Sequence, residues 1–151
     1  MRIQVRANGK YDEGVHPDVT HIYFMRDVVG DFFNEDRFPN LVVLKCNSRQ
    51  ITSLEVNCTS LQKLISSCNQ LTELKLSCPS LQELESNDNQ LTNLELNCPS
   101  LEDLGCENNQ LADLNGLEFC ADLKELRCSI ALKESAEILK IHLPNLRVMI
   151  K

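Results

Sequence analysis

LQKLISSCNQLTELKLSCPS (residues 61–80) and LQELESNDNQLTNLELNCPS (81–100) superimpose without a gap. Leu stands at the first, fourth, eleventh and fourteenth places of both, Asn at the ninth and Gln at the tenth. The pattern extends backwards to LVVLKCNSRQITSLEVNCTS (41–60), with Arg49 at the ninth place and Ile51 at the eleventh, and forwards to LEDLGCENNQLADLNGLEFC (101–120). Each block splits into halves of ten that open L-x-x-L. Apolar anchors three apart, with Gly, Asn, Pro and Ser between them, do not sustain a helix over ten residues. The L-x-L alternation fits a short strand with side chains on alternate faces. One block therefore predicts two short strands and two turns. It cannot bury its leucines alone, so the blocks must stack. Parallel strands lie about 4.8 Å apart, so six or seven stacked units make a rod roughly 30 Å long. The expected class is mainly β, a solenoid with two short parallel strands per coil.

The recurring polar positions have a physical reason. Turns inside a stack carry backbone groups that no strand ladder satisfies. An Asn repeated at one place can lie within the turn and bond the backbone of its own and the adjacent unit. Asn69, Asn89 and Asn109 are read as such a structural ladder. Pro79 and Pro99 fix φ where the second turn closes. The eight cysteines follow the same period: Cys58, Cys78 and Cys98 are 20 residues apart, and Cys46 and Cys106 are 60 apart. No C-x-x-C pair occurs, and none of the three His stands at ligand spacing from a Cys pair, which argues against zinc. Cys is a small, readily buried hydrophobe, so the columns read as reduced, structural thiols. A reducing, cytoplasmic location is expected, and the opening MRIQVRANGK lacks the apolar stretch of a secretory signal.

The blocks resemble the leucine-rich repeat family. LQELESNDNQL (81–91) matches L-x-x-L-x-L-x-x-N-x-L, with Ser86 at the sixth place. The 20-residue length and doubled L-x-x-L half are most similar to the short, nested IRREKO subclass found in bacteria and large DNA viruses. The resemblance covers about residues 41–128. It implies a right-handed solenoid and, because family members mostly bind proteins, a protein-binding function. The chain departs from ordinary members in two ways. No segment is long enough for a helix on the convex side, and Cys or Pro replaces a second Asn.

The whole chain reads as one domain: a cap with a degenerate repeat at 1–40, four repeats at 41–122, and a last repeat with a cap at 123–151. HPDVTHIYF (16–24) superimposes on FPNLVVLKC (38–46), which places Val19, Ile22 and Phe24 inward, with Val29 and Phe32 serving its second half. MRIQVR with Asn8-Gly9 predicts a capping strand or hairpin. ALKESAEILKIHL (131–143) predicts an amphipathic helix ended by Pro144, and LPNLRVMI a final strand.

The outward residues follow from the alternation. On the first-half strands they are His21 and Tyr23, Val43 and Lys45, Lys63 and Ile65, Glu83 and Glu85, Asp103 and Gly105, then Glu125 and Arg127. The second-half strands present Ser53 and Glu55, Glu73 and Lys75, Asn93 and Glu95, then Asp113 and Asn115. Net charge is −7, and residues 41–122 hold 4 Lys/Arg against 12 Asp/Glu. That balance argues against nucleic acid, and no apolar run is long enough to span a membrane. The expected function is non-enzymatic. A rigid, partly acidic β face would receive a protein partner with a basic or mixed apolar and basic surface. Tyr23, Val43 and Ile65 are its expected apolar anchor, and Glu83, Glu85 and Asp103 its charged centre. Reversing those three carboxylates to Lys is expected to abolish capture without lowering the melting temperature. A calcium site or acid–base pair on the same carboxylates lacks an enclosing pocket, and no cofactor or metal is expected. The alternative is a structural component, with the chain a monomer or weak homodimer.

Overall fold

The computed structural model describes residues 2–5, 17–24, 33–34 and 36–151. In chain order the strands are β1 (Arg2–Val5), β2 (His21–Phe24), β3 (Phe33–Asn34), β4 (Val43–Lys45), β5 (Ser53–Asn57) and β6 (Lys63–Ile65). They continue with β7 (Glu73–Ser77), β8 (Glu83–Glu85), β9 (Glu95–Asn97), β10 (Asp103–Gly105), β11 (Glu125–Cys128) and, after helix α1 (Lys133–His142), β12 (Arg147–Ile150). Every pairing is parallel. The larger sheet runs β1-β2-β4-β6-β8-β10-β11-β12 and the smaller β3-β5-β7-β9. First halves of the blocks supply one sheet and second halves the other, so the molecule is mainly strands in parallel sheets with one C-terminal helix.

Register carries the periodicity into space. Leu44 pairs with Leu64, Leu64 with Leu84 and Leu84 with Leu104. Together with Leu126 they form a column at 0% exposure. Leu54 and Leu74 form the matching column of the second sheet. Burying a leucine contributes roughly 1.5–3 kcal/mol, and no single unit could bury its own. Val19, Ile22 and Phe38 extend the core toward the N-terminal end. The side chain of Phe24, and Asn8, Gly9, Val29 and Phe32 entirely, fall outside the described residues.

The asparagine column behaves as the sequence predicts. Asn69 Nδ2 donates to the carbonyls of Cys46 and Ser66, both at 2.9 Å, and its Oδ1 accepts the Arg49 and Ile51 amides. Asn89 and Asn109 repeat the arrangement, accepting the Leu71 and Leu91 amides at 3.0 Å. In the fourth block two hydroxyls serve other amides: Ser129 Oγ accepts the Asn108 amide and Ser135 Oγ the Leu114 amide. The turns containing Pro79 and Pro99 close through Leu81 N–H to Cys78 O and Leu101 N–H to Cys98 O.

The expected N-terminal capping strand is present: β1 pairs in parallel with β2. Two expectations need correction. The second half of the fourth block forms no strand, so Asp113 and Asn115 do not extend the smaller sheet. Gly116 adopts φ 93° and a 3-10 turn follows at Leu117–Phe119. Finally, not every thiol is buried. Cys46, Cys58, Cys78, Cys98, Cys106, Cys120 and Cys128 are buried thiols outside any disulfide, whereas Cys68 is exposed. It stands in a column with Ser48, Asp88 and Asn108, all at φ between 52° and 58°. Asn and Asp tolerate that left-handed conformation through local hydrogen bonds, whereas Cys and Ser are held there by the turn.

Candidate functional site

Parallel pairing aligns the outward side chains of the larger sheet into two rows. One contains His21, Val43, Lys63, Glu83, Asp103, Glu125 and Arg147. The other contains Tyr23, Lys45, Ile65, Glu85, Gly105, Arg127 and Met149. Directly opposed or diagonal side chains on neighbouring strands lie close enough to interact, so the rows act as a surface rather than as separate residues.

The six residues predicted as a binding set are all on this face, but they divide into two groups. At the N-terminal end, the Tyr23 ring stacks on His21 with centroids 6.3 Å apart, and Lys45 Nζ lies 5.5 Å from the Tyr23 centroid. Val43 and Ile65 are half-buried and sit in different rows, on a diagonal across β4 and β6. Together they form an apolar and aromatic corner carrying one cation.

The carboxylate group is not the open acidic centre that the sequence suggests. Lys63 Nζ contacts both oxygens of Glu83, at 2.5 and 2.6 Å. Arg127 pairs with Glu85 across the intervening strand and lies 3.0 Å from Asp103. Gly105 makes this reach possible, because a Cβ built there would occupy the Glu85 carboxylate. Asn87 Nδ2 donates to Glu85 at 2.8 Å, while its Oδ1 accepts the Glu107 amide. Glu107 itself is only 9% exposed and pairs with Lys151 at 3.2 Å. Arg147 likewise faces Glu125, and Lys124 faces Glu102.

Burial raises the Glu85 pKa; Arg127 and the Asn87 hydrogen bond offset this only partly, and the Asp103 and Glu83 carboxylates repel the charge. At Arg127 burial acts against the charge, but two facing carboxylates outweigh it and hold the pKa above its ordinary value. Across the two rows, four acids face four bases. The expectation that reversing Glu83, Glu85 and Asp103 leaves stability unchanged is therefore corrected: the substitutions would set Lys side chains against Lys63 and Arg127.

The thiol columns are chemically quiet. Burial pushes Cys46, Cys98 and Cys106 up to about 12 and Cys120 to about 11. Thiolate is the reactive form, so these four are poor nucleophiles. The described residues contain no cluster of His, Cys, Asp and Glu able to hold a metal ion, and no helix among them is long and apolar enough to cross a membrane.

Sequence reading missed the partners of the acidic group because Lys63 and Arg127 lie 20 and 42 residues from Glu83 and Glu85. The signal was nevertheless present: aligning the blocks places Lys63 beside Glu83 in one column, and Gly105 leaves a gap between Glu85 and Arg127. Comparison with protein-family models finds no match, and comparison with curated proteins finds none either.

Proposed function

We propose that the chain is a right-handed leucine-rich-repeat solenoid of 20-residue coils, and that it serves as a non-enzymatic protein-interaction scaffold in a reducing compartment such as the cytoplasm. The partner face is the two-row surface of the larger sheet. The observation that carries this reading is the register itself. Backbone pairing holds the outward residues of seven strands, β2 through β12, in aligned rows. A surface fixed in this way loses little conformational entropy on association. The free thiols support the compartment.

Tyr23, Val43 and Ile65 are the anchor, with Lys45 beside them. Glu83, Glu85 and Asp103, already countered by cations, set polar complementarity rather than long-range attraction. The fitting partner surface is mixed, apolar opposite the corner and hydrogen-bonding opposite the ion pairs. Affinity capture from the native source, followed by mass spectrometry, compares the wild type with a Tyr23→Ala, Ile65→Asp double variant. The expected result is a protein retained by the wild type and lost by the variant, with the variant still folded by circular dichroism. An identical set of retained proteins would overturn the assignment of this face.

A further inference from the structure

The large apolar side chains most exposed among the described residues are Phe119, Ile130, Ile138, Ile141 and Met149. All five lie past β10, toward the C-terminal end. Ile138 and Ile141 are 60% and 76% exposed and lie one turn apart on α1, on the side opposite the buried Ala136 and Leu139. Single exposed apolar residues are ordinary on a protein surface. Two on one side of a helix, one of them (Ile138) lining a groove, are a stronger sign of contact.

That groove, about 350 Å³, runs between α1 and residues 112–118. Leu114, Ile138 and Leu139 give it an apolar lining, while Asp113, Glu118 and Glu134 stand around it, with His142 at one end. Asp113 Oδ1 accepts the Asn115 amide at 3.0 Å and Glu118 Oε2 the Gly116 amide at 2.7 Å. These bonds fix the carboxylates without cancelling their charge. On the sheet face, Glu83, Glu85, Asp103, Glu125 and the adjoining Glu107 each have a cation within 4 Å. Among the described residues, Asp113, Glu118 and Glu134 have none. Here, then, uncompensated negative charge adjoins an apolar surface.

We infer that the groove and the outer side of α1 form a docking surface for a short amphipathic segment of another protein, one carrying Lys or Arg beside Leu, Ile or Phe. The cations fit the three carboxylates, and the apolar side chains fit Ile138, Ile141 and the lining. A second copy of this chain, at net −7, brings like charge to the approach. This surface is separate from the β face and stands whether or not that face binds.

The test uses a short fluorescent peptide with Leu and Lys at helical spacing, its counterpart with Glu in place of Lys, and the full chain, followed by anisotropy. The Lys peptide should bind and the Glu peptide should not, with affinity falling as salt is raised. An Ile138→Ser, Ile141→Ser variant and a Glu134→Lys variant should each weaken binding at least about tenfold, or about 1.4 kcal/mol. Glu55→Lys with Glu73→Lys, on the smaller sheet, and Tyr23→Ala, on the proposed β face, should change it little. The inference is overturned if the Lys peptide does not bind or if the smaller-sheet reversals weaken it equally, which would indicate attraction to net charge alone. It is also overturned if the Ile variant dissolves a concentration-dependent dimer while leaving peptide affinity unchanged, which would make α1 a contact between copies.

Discussion

Replacing Asn89 by Ala separates the two halves of the asparagine ladder. The Nδ2 group of Asn89 donates to the carbonyls of Ser66, Ser86 and Asn87 at 3.1–3.2 Å. Each of those carbonyls keeps another donor after the substitution: Asn69 for Ser66, Asn109 for Ser86, and the Cys68 amide for Asn87. The Leu71 amide has no such reserve, because Asn89 Oδ1 is its acceptor and the residue is 0% exposed. The loss is thus dominated by one orphaned, buried donor, worth about 1–3 kcal/mol. For a chain of this size that lowers Tm by on the order of 6 °C. Asn109→Ala should cost a comparable amount, because the Leu91 amide it serves also belongs to a residue at 0% exposure. Urea unfolding followed by circular dichroism under reducing conditions gives both values, and hydrogen exchange at the Leu71 amide locates the effect. If either substitution lies within about 0.5 kcal/mol of an exposed control, the ladder does not work as described.

Two further outcomes follow from the same geometry. In the native protein one thiol of eight should react rapidly with a disulfide reagent at mildly alkaline pH, and Cys68→Ser should remove that phase. Several fast thiols would mean that the buried columns open. Burial raises the Glu85 pKa, so its contribution to stability is fully present below the unfolded value of about 4.3 and is lost as pH rises through the folded value. Between pH 4 and 7 the stability of Glu85→Gln should therefore rise relative to the wild type in a series of urea midpoints. The opposite slope would show that attraction by Arg127 outweighs burial.

What was legible in the chain is what repeats. The Leu44, Leu64, Leu84 and Leu104 column, the Asn69–Asn89–Asn109 ladder and the outward assignments each recur at fixed spacing, and repetition converts a weak local signal into a strong one. Departures from the repeat were harder to read. Leu111 and Leu114 keep the L-x-x-L form, but Gly116 takes the following backbone to positive φ and no strand forms. Cys68 has the composition of a core column yet occupies the place of Asp88 and Asn108, two turn-forming residues whose presence marks that place as exposed. On the candidate face, side-chain direction was predictable but charge pairing was not. Arg127 reaches Glu85 two strands away only because Gly105 lacks a side chain, a relation visible once the strands are laid side by side. On α1, the amphipathic pattern predicted a buried side, but the exposure of Ile138 and Ile141 on the other side was not legible from it.

The asparagine bonds also give the stack a direction. Asn69 serves the amides of Arg49 and Ile51, Asn89 that of Leu71 and Asn109 that of Leu91, so each unit completes the one before it. Removing a unit from the leading end leaves every later amide with its acceptor, whereas trimming the trailing end strands one. A twenty-residue segment copied in tandem within 61–100 brings its own asparagine and receives the next. The chain can thus lengthen or shorten by whole modules, provided the final module still meets Ser129 and Ser135.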